Sequence, residues 1–126
     1  RLATLMHHDT MSNQAEAAKL VPGAHTVMLA STGASHTAEI VMLPDGSGYL
    51  MHADLPRLAS GHTYQLWAET GPQDAPRMIS AGVLGRNPGV TAFRVTVPII
   101  GFEVTDEANP GAQIPSPTPV VAGQMS

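Results

Sequence analysis

The sequence predicts an all-β chain: an antiparallel β-sandwich of about seven to eight short strands, Ig-like or Greek-key in type, with one short N-terminal helix. Three observations carry that expectation. β-rich runs follow one another at short, regular spacing after Gly23. Gly and Pro, 12 and 11 in number, punctuate the gaps between those runs. Apolar and polar residues alternate inside them, with Phe93, Val95 and Val97 on one face and Ala92, Arg94 and Thr96 on the other.

The helix comes first. From Thr10 to Leu20, Met11, Ala15, Ala18 and Leu20 fall near a 3.6-residue spacing, with Asn13, Gln14, Glu16 and Lys19 between them. Thr10 or Ser12 can cap it, and Pro22-Gly23 ends it. Arg1 to Asp9 carry no pattern and read as a lead-in, so residues 1–23 group apart from a β domain over residues 24–126.

Strands are expected at His25–Ala30, Thr37–Leu43, Gly48–Ala53, Thr63–Glu69, Ile79–Leu84, Thr91–Val97, Phe102–Glu107 and Val120–Ala122. Between them lie Ser31-Thr32-Gly33, Pro44-Asp45-Gly46-Ser47-Gly48, Gly71-Pro72 and Gly85-Arg86-Asn87-Pro88-Gly89, where Pro fixes φ or Gly permits a positive φ. In the fourth strand Tyr64, Leu66 and Ala68 oppose Gln65, Trp67 and Glu69. A Trp on the polar side implies either a strand covered on both faces or a ring packed under a loop. The Pro-rich tail from Pro110 is expected to run extended along the sheet before a last short strand.

Composition removes several kinds of chemistry. The 126 residues contain no Cys, which excludes disulfides, thiolate nucleophiles and cysteine-ligated metal sites. A net charge of −4 with six scattered Lys and Arg gives no footprint for nucleic acid or an anionic membrane. No apolar run reaches the roughly 18 residues of a membrane span. The chain opens at Arg1 without a charged n-region or apolar h-region, so no signal peptide is expected and it reads as a fragment of something longer.

Six His and seven Met raise copper as an alternative. Met6, His7, His8 and Met11 cluster near the N-terminus and are the candidate metal ligands, although their spacing imposes no recognisable geometry. Met28, Met42, Met51 and Met78 fall in or beside expected strands, where thioethers fill cores. Catalytic groupings are absent from the pattern. Ser35-His36 and His52-x-Asp54 make no triad, and no G-x-S-x-G or G-x-x-x-x-G-K occurs. Adjacent Asp106 and Glu107 point to opposite faces of a strand, and Glu103 with Arg94 reads as a cross-strand pair on a solvated face. No catalytic residue and no cofactor is expected.

Leu55-Pro56-Arg57-Leu58-Ala59-Ser60-Gly61-His62-Thr63-Tyr64-Gln65-Leu66-Trp67, then Ser80-Ala81-Gly82-Val83, then Phe102 to Glu107, and finally Pro115-Ser116-Pro117-Thr118-Pro119-Val120-Val121-Ala122-Gly123 occur in that order. This arrangement resembles the C-terminal, extracytoplasmic domain of the anti-sigma-K factor (RskA-type) family, from about Ala24 to Gly123. Glu107-Ala108-Asn109-Pro110-Gly111 departs from the family's usual Glu-Pro loop. Tyr64, Gln65, Leu66, Trp67, Gly82, Pro117 and Thr118 carry the likeness as a fold signature. The resemblance implies a non-catalytic regulatory or sensor domain, outside the inner membrane on the periplasmic or cell-envelope side and tethered to that membrane in the full-length protein. It implies a sigma factor as partner, bound through a cytoplasmic part absent here. It further implies a membrane protease that releases the sigma factor, and makes residues 1–23 a membrane-proximal linker.

Overall fold

A computed structural model describes residues 2–125, with side chains described from Thr10 to Met125. Helix α1 (Leu2–Ala18) is followed by strands β1 (His25–Ala30), β2 (Thr37–Met42), β3 (Ser47–Asp54), β4 (His62–Thr70), β5 (Arg77–Gly85), β6 (Thr91–Arg94), β7 (Gly101–Ala108) and β8 (Val121–Gln124). Each expected strand is present. The sixth is shorter than its alternation suggests: it stops at Arg94, ahead of Pro98, which cannot donate to a ladder. The helix begins at Leu2, so most of the residues read as a patternless lead-in are helical, and it closes at Ala18 rather than Leu20.

The strands do not form two sheets. They lie in one eight-stranded sheet of order β5-β4-β7-β8-β1-β2-β3-β6, with every hydrogen-bonded neighbour antiparallel. The sandwich expected from strand spacing is therefore replaced by a curled, nearly barrel-like sheet. Chain length explains the curl. β5 and β6 are the two edges, yet only residues 86–90 connect them. Such a connection reaches ~20 Å at most, whereas edges of a flat eight-stranded sheet would stand ~34 Å apart. The sheet must bend until its edges approach. Its two halves are joined through β8, which pairs with four residues of β7 but with β1 only at Ala30–Ala122. Gly123 permits this junction, because a Cβ there would collide with the Met28 carbonyl oxygen.

The interior is filled by alternate residues from both halves. Val27, Leu29, Ile40, Leu50, Tyr64, Leu66, Phe102, Val104 and Val121 are nearly or fully inaccessible. Phe93 from one edge meets Phe102 edge-on, with ring centroids 5.6 Å apart and planes at 65°. The Tyr64 hydroxyl donates to the Pro56 carbonyl and ties the β3–β4 connection over one end.

Two segments cover the outside. α1 lays Ala15 and Ala18 on Val41 of β2 and Met51 of β3. The chain after β7 crosses the outer face of β4 and β7 as a strap, residues 111–120. Trp67 is fully buried although it projects away from the main core. Its strand is covered on both faces and the outer cover is the irregular strap, so the two alternatives the sequence leaves open for this ring coincide.

Candidate functional site

Two polar networks hold the covering segments, and each is built by strand register. The first lies under the strap. Pairing of β4 with β7 sets Gln65 opposite Thr105, Trp67 opposite Glu103 and Thr63 opposite Glu107, all on the outer face. The Trp67 indole donates to Thr105 Oγ1 at 2.8 Å, and that hydroxyl donates in turn to Glu107 Oε2 at 2.6 Å. Ser116 of the strap closes on the same carboxylate, its amide donating at 2.8 Å and its hydroxyl at 2.9 Å. The strap's other end is held by Gln65, whose amide accepts from the Ala112 N–H at 2.9 Å and donates to the Ala112 carbonyl at 3.1 Å. The Gln65 amide also donates to Ser80 of β5.

Among the described residues no buried side-chain nitrogen or oxygen is left without a partner. Burial works against ionising Glu107, but the hydrogen bonds from Thr105 and Ser116 outweigh it and hold its pKa below the ordinary carboxylate value. Glu103 is the counterpart. Burial, with Glu69 and Glu107 nearby, pushes its pKa up. Arg94 does not relieve it: Arg94 pairs with Ser47 of β3, while Glu103 lies between Trp67 and Ala122. The cross-strand pair expected from the sequence fails because Arg94 and Glu103 sit on strands far apart in the sheet order.

The second network fastens α1. Lys19 Nζ lies 3.4 Å from Glu16 and 3.2 Å from Glu39 of β2. His52 of β3 completes a ring, with Nε2 2.9 Å from Glu16 and Nδ1 2.7 Å from Glu39. A bulge aims the imidazole. β2 and β3 shift register between Thr37 and Glu39, and His52 adopts a φ of 51°, a conformation that His tolerates better than most residues. Burial opposes ionisation of both Lys19 and Glu39, yet mutual hydrogen bonds and charge attraction raise the pKa of the first and lower that of the second. The apolar part of this contact is small, since burying an alanine methyl contributes ~1 kcal/mol. Exposed ion pairs contribute ~0.2–1 kcal/mol each. Charge and packing are therefore comparable in holding the helix.

A third feature is a groove of ≈ 370 Å³ at one end of the barrel, lined by His25, the β2–β3 turn from Met42 to Gly46, residues 95–99 and Met125. Its walls are mostly apolar, and the two ionisable side chains among them are His25 and Asp45.

Of the residues considered for chemistry, those whose side chains are described are dispersed. The side chains of Met6, His7 and His8 lie outside the described residues, and Met11 is half-buried on α1. Among the described residues no group of three or more His, Asp or Glu could hold a metal ion. His52 pairs with Glu16 and Glu39, and Ser35 bonds to Ser31. Asp106 and Glu107 do face opposite ways: Asp106 lies on the side of Tyr64 and meets His62 at 2.8 Å near the end of the strands, and Glu107 is buried under the strap on the outer face. Gly82 sits at a bulge opposite Leu66 with φ 136°, while Pro117 and Thr118 lie exposed on the strap. The helix-fastening ring has one trace in the sequence, the i, i+3 spacing of Glu16 and Lys19. Its partners Glu39 and His52 are brought in by the sheet alone.

No described helix is long and apolar enough to cross a membrane. Neither a curated protein nor a solved structure matches the chain. The family model "Anti-sigma-K factor rskA, C-terminal" matches residues 2–121, which take in α1, strands β1 to β7, the strap and the first residue of β8. The chain belongs to that family of anti-sigma factor domains, whose members are in general regulatory rather than enzymatic.

Proposed function

We propose that the domain is the extracytoplasmic regulatory part of a membrane-anchored anti-sigma factor. A sigma factor is held inactive by a cytoplasmic part on the N-terminal side of this chain, and proteolysis at the membrane releases it. The family match over residues 2–121 carries this reading. The geometry supports a controlling role for α1 and residues 1–23, because the helix lies between the chain's N-terminal end and the sheet on which it docks. A helix held by two alanines and a charge ring opens far more readily than the barrel behind it. Docked, it shields the backbone preceding the domain; undocked, it offers an extended substrate to a protease.

Fusions to the full-length protein test the reading. Alkaline phosphatase joined after Ser126 is expected to be active and β-galactosidase inactive. Deleting residues 24–126 is expected to raise transcription from a sigma-dependent reporter as the anti-sigma factor is degraded. Active β-galactosidase, or a reporter indifferent to the deletion, overturns it.

A further inference from the structure

We infer that the ring Glu16–Lys19–Glu39–His52 is a proton-dependent latch that holds α1 on the sheet when His52 is charged and loosens it when His52 is neutral. Both imidazole nitrogens lie within hydrogen-bond reach of carboxylates, Nε2 at 2.9 Å from Glu16 and Nδ1 at 2.7 Å from Glu39. A carboxylate only accepts, so both contacts are satisfied together only when both nitrogens carry protons, in the imidazolium form. Neutral imidazole keeps one N–H and turns a lone pair toward the remaining carboxylate. The weaker anchor then gives way. Glu39 is largely buried and also bound by Lys19, whereas Glu16 is about half exposed and free to swing into solvent. Loss of the His52–Glu16 contact removes the one charged link between α1 and β3 among the described residues.

From the helical side His52 faces Glu16, with Lys19 just beyond the helix end; from β2 it faces Glu39. On its own strand Asp54 lies two residues away, paired across from Thr37. His8 and Asp9 are seven or eight residues before Glu16, ~10–12 Å along a helix, and their side chains lie outside the described residues. Imidazole is the side chain that ordinarily changes charge between pH 5 and 8. Because both contacts need an N–H donor on the ring, docking is strongest where imidazole is ordinarily charged and weaker where it is ordinarily neutral. Regulation of proteolysis by this latch rests on the function proposed above; the latch itself does not.

Hydrogen exchange of the 126-residue chain reads it directly. Protection of the α1 amides from Ser12 to Ala18, corrected for the intrinsic pH dependence of exchange, is expected to fall about two- to fivefold between pH 5.5 and 8, the span of an exposed ion pair. Amides of Leu66, Trp67 and Val104, away from the His62–Asp106 pair at the end of β4 and β7, serve as the reference and stay unchanged. His52→Asn, which keeps a residue suited to positive φ but cannot charge, is expected to abolish the pH response. Glu16→Gln, on the exposed helix face, is expected to do the same without touching the sheet. Equal α1 protection at both pH values, or an undiminished response in both variants, overturns the latch. Neither outcome bears on the side of the membrane reported by the fusions.

Discussion

Replacing Glu107 by Gln tests whether the strap is held by charge. The carboxylate is 7% exposed and accepts three hydrogen bonds, from Thr105 Oγ1, the Ser116 amide and the Ser116 hydroxyl. Hydrogen bonds to a charged group contribute ~1.5–3 kcal/mol each, but the three share one acceptor group and are not additive. Gln keeps one acceptor oxygen and aims an NH₂ at donors, so a loss of ~2–4 kcal/mol follows, including the unpaired Ser116 amide. At roughly 4 °C per kcal/mol for a domain of this size, the melting temperature falls by ~8–16 °C. The pH dependence gives the sharper reading. Glu107's folded pKa is held below its unfolded value, so the unfolded chain binds more protons as pH falls. Its contribution is complete above the ordinary carboxylate pKa of about 4.5 and is lost as pH drops through the lowered folded value. Denaturant unfolding of both proteins from pH 7 to pH 3 should show the wild-type advantage shrinking toward acid. An advantage under ~0.5 kcal/mol at pH 7, within surface-substitution scatter, or one unchanged at pH 3, would refute the argument.

Two further substitutions probe the curl and the helix. Gly46 has φ +92°, a Cβ there would strike the Val95 carbonyl oxygen, and its own carbonyl accepts from the Val95 amide at 2.8 Å. Gly46→Ala should therefore cost ~2–4 kcal/mol in thermal unfolding; a loss within ~0.5 kcal/mol would mean the turn relaxes freely. Ala15 is fully buried against the outer face of the sheet. Ala15→Glu should release α1, seen as faster limited proteolysis on the N-terminal side, while the global melting transition moves by less than ~3 kcal/mol. Proteolysis at the wild-type rate would show that this contact does not hold the helix.

The strands are legible because their signals are local. Pro44-Asp45-Gly46 must turn, and Tyr64, Leu66 and Ala68 must share a face, whatever the rest of the chain does. The burial of Trp67 is legible too, since a Trp among polar neighbours demands a second cover. Sheet closure is not local. Nothing in the short run from Val121 to Gln124 says that it bridges β7 to β1, and that single junction turns two expected layers into one curled sheet. Arg94 and Glu103 mislead for the same reason, as nearness in sequence says nothing of an order that places β6 at one edge and β7 beyond β8. His52 is subtler. Period-two alternation assigns it a face, but the bulge opposite Ala38 re-aims it toward Glu16.

The two networks differ in a way that decides where the domain can respond. Glu107 is buried, its donors come from both strap and strand, and it loses them only at an acidity that unsettles many carboxylates together. Removing it leaves buried donors unpaired, so the strap behaves as part of the fold. Glu16 and His52 are each about half exposed. Solvent screens their attraction and accepts either partner when the contact breaks, so opening costs little and leaves nothing stranded. The barrel behind them keeps its own core of Tyr64, Leu66, Phe102 and Val104. A small change of charge at the helix end is thus able to shift α1 alone, whereas the same change under the strap would be felt by the whole sheet.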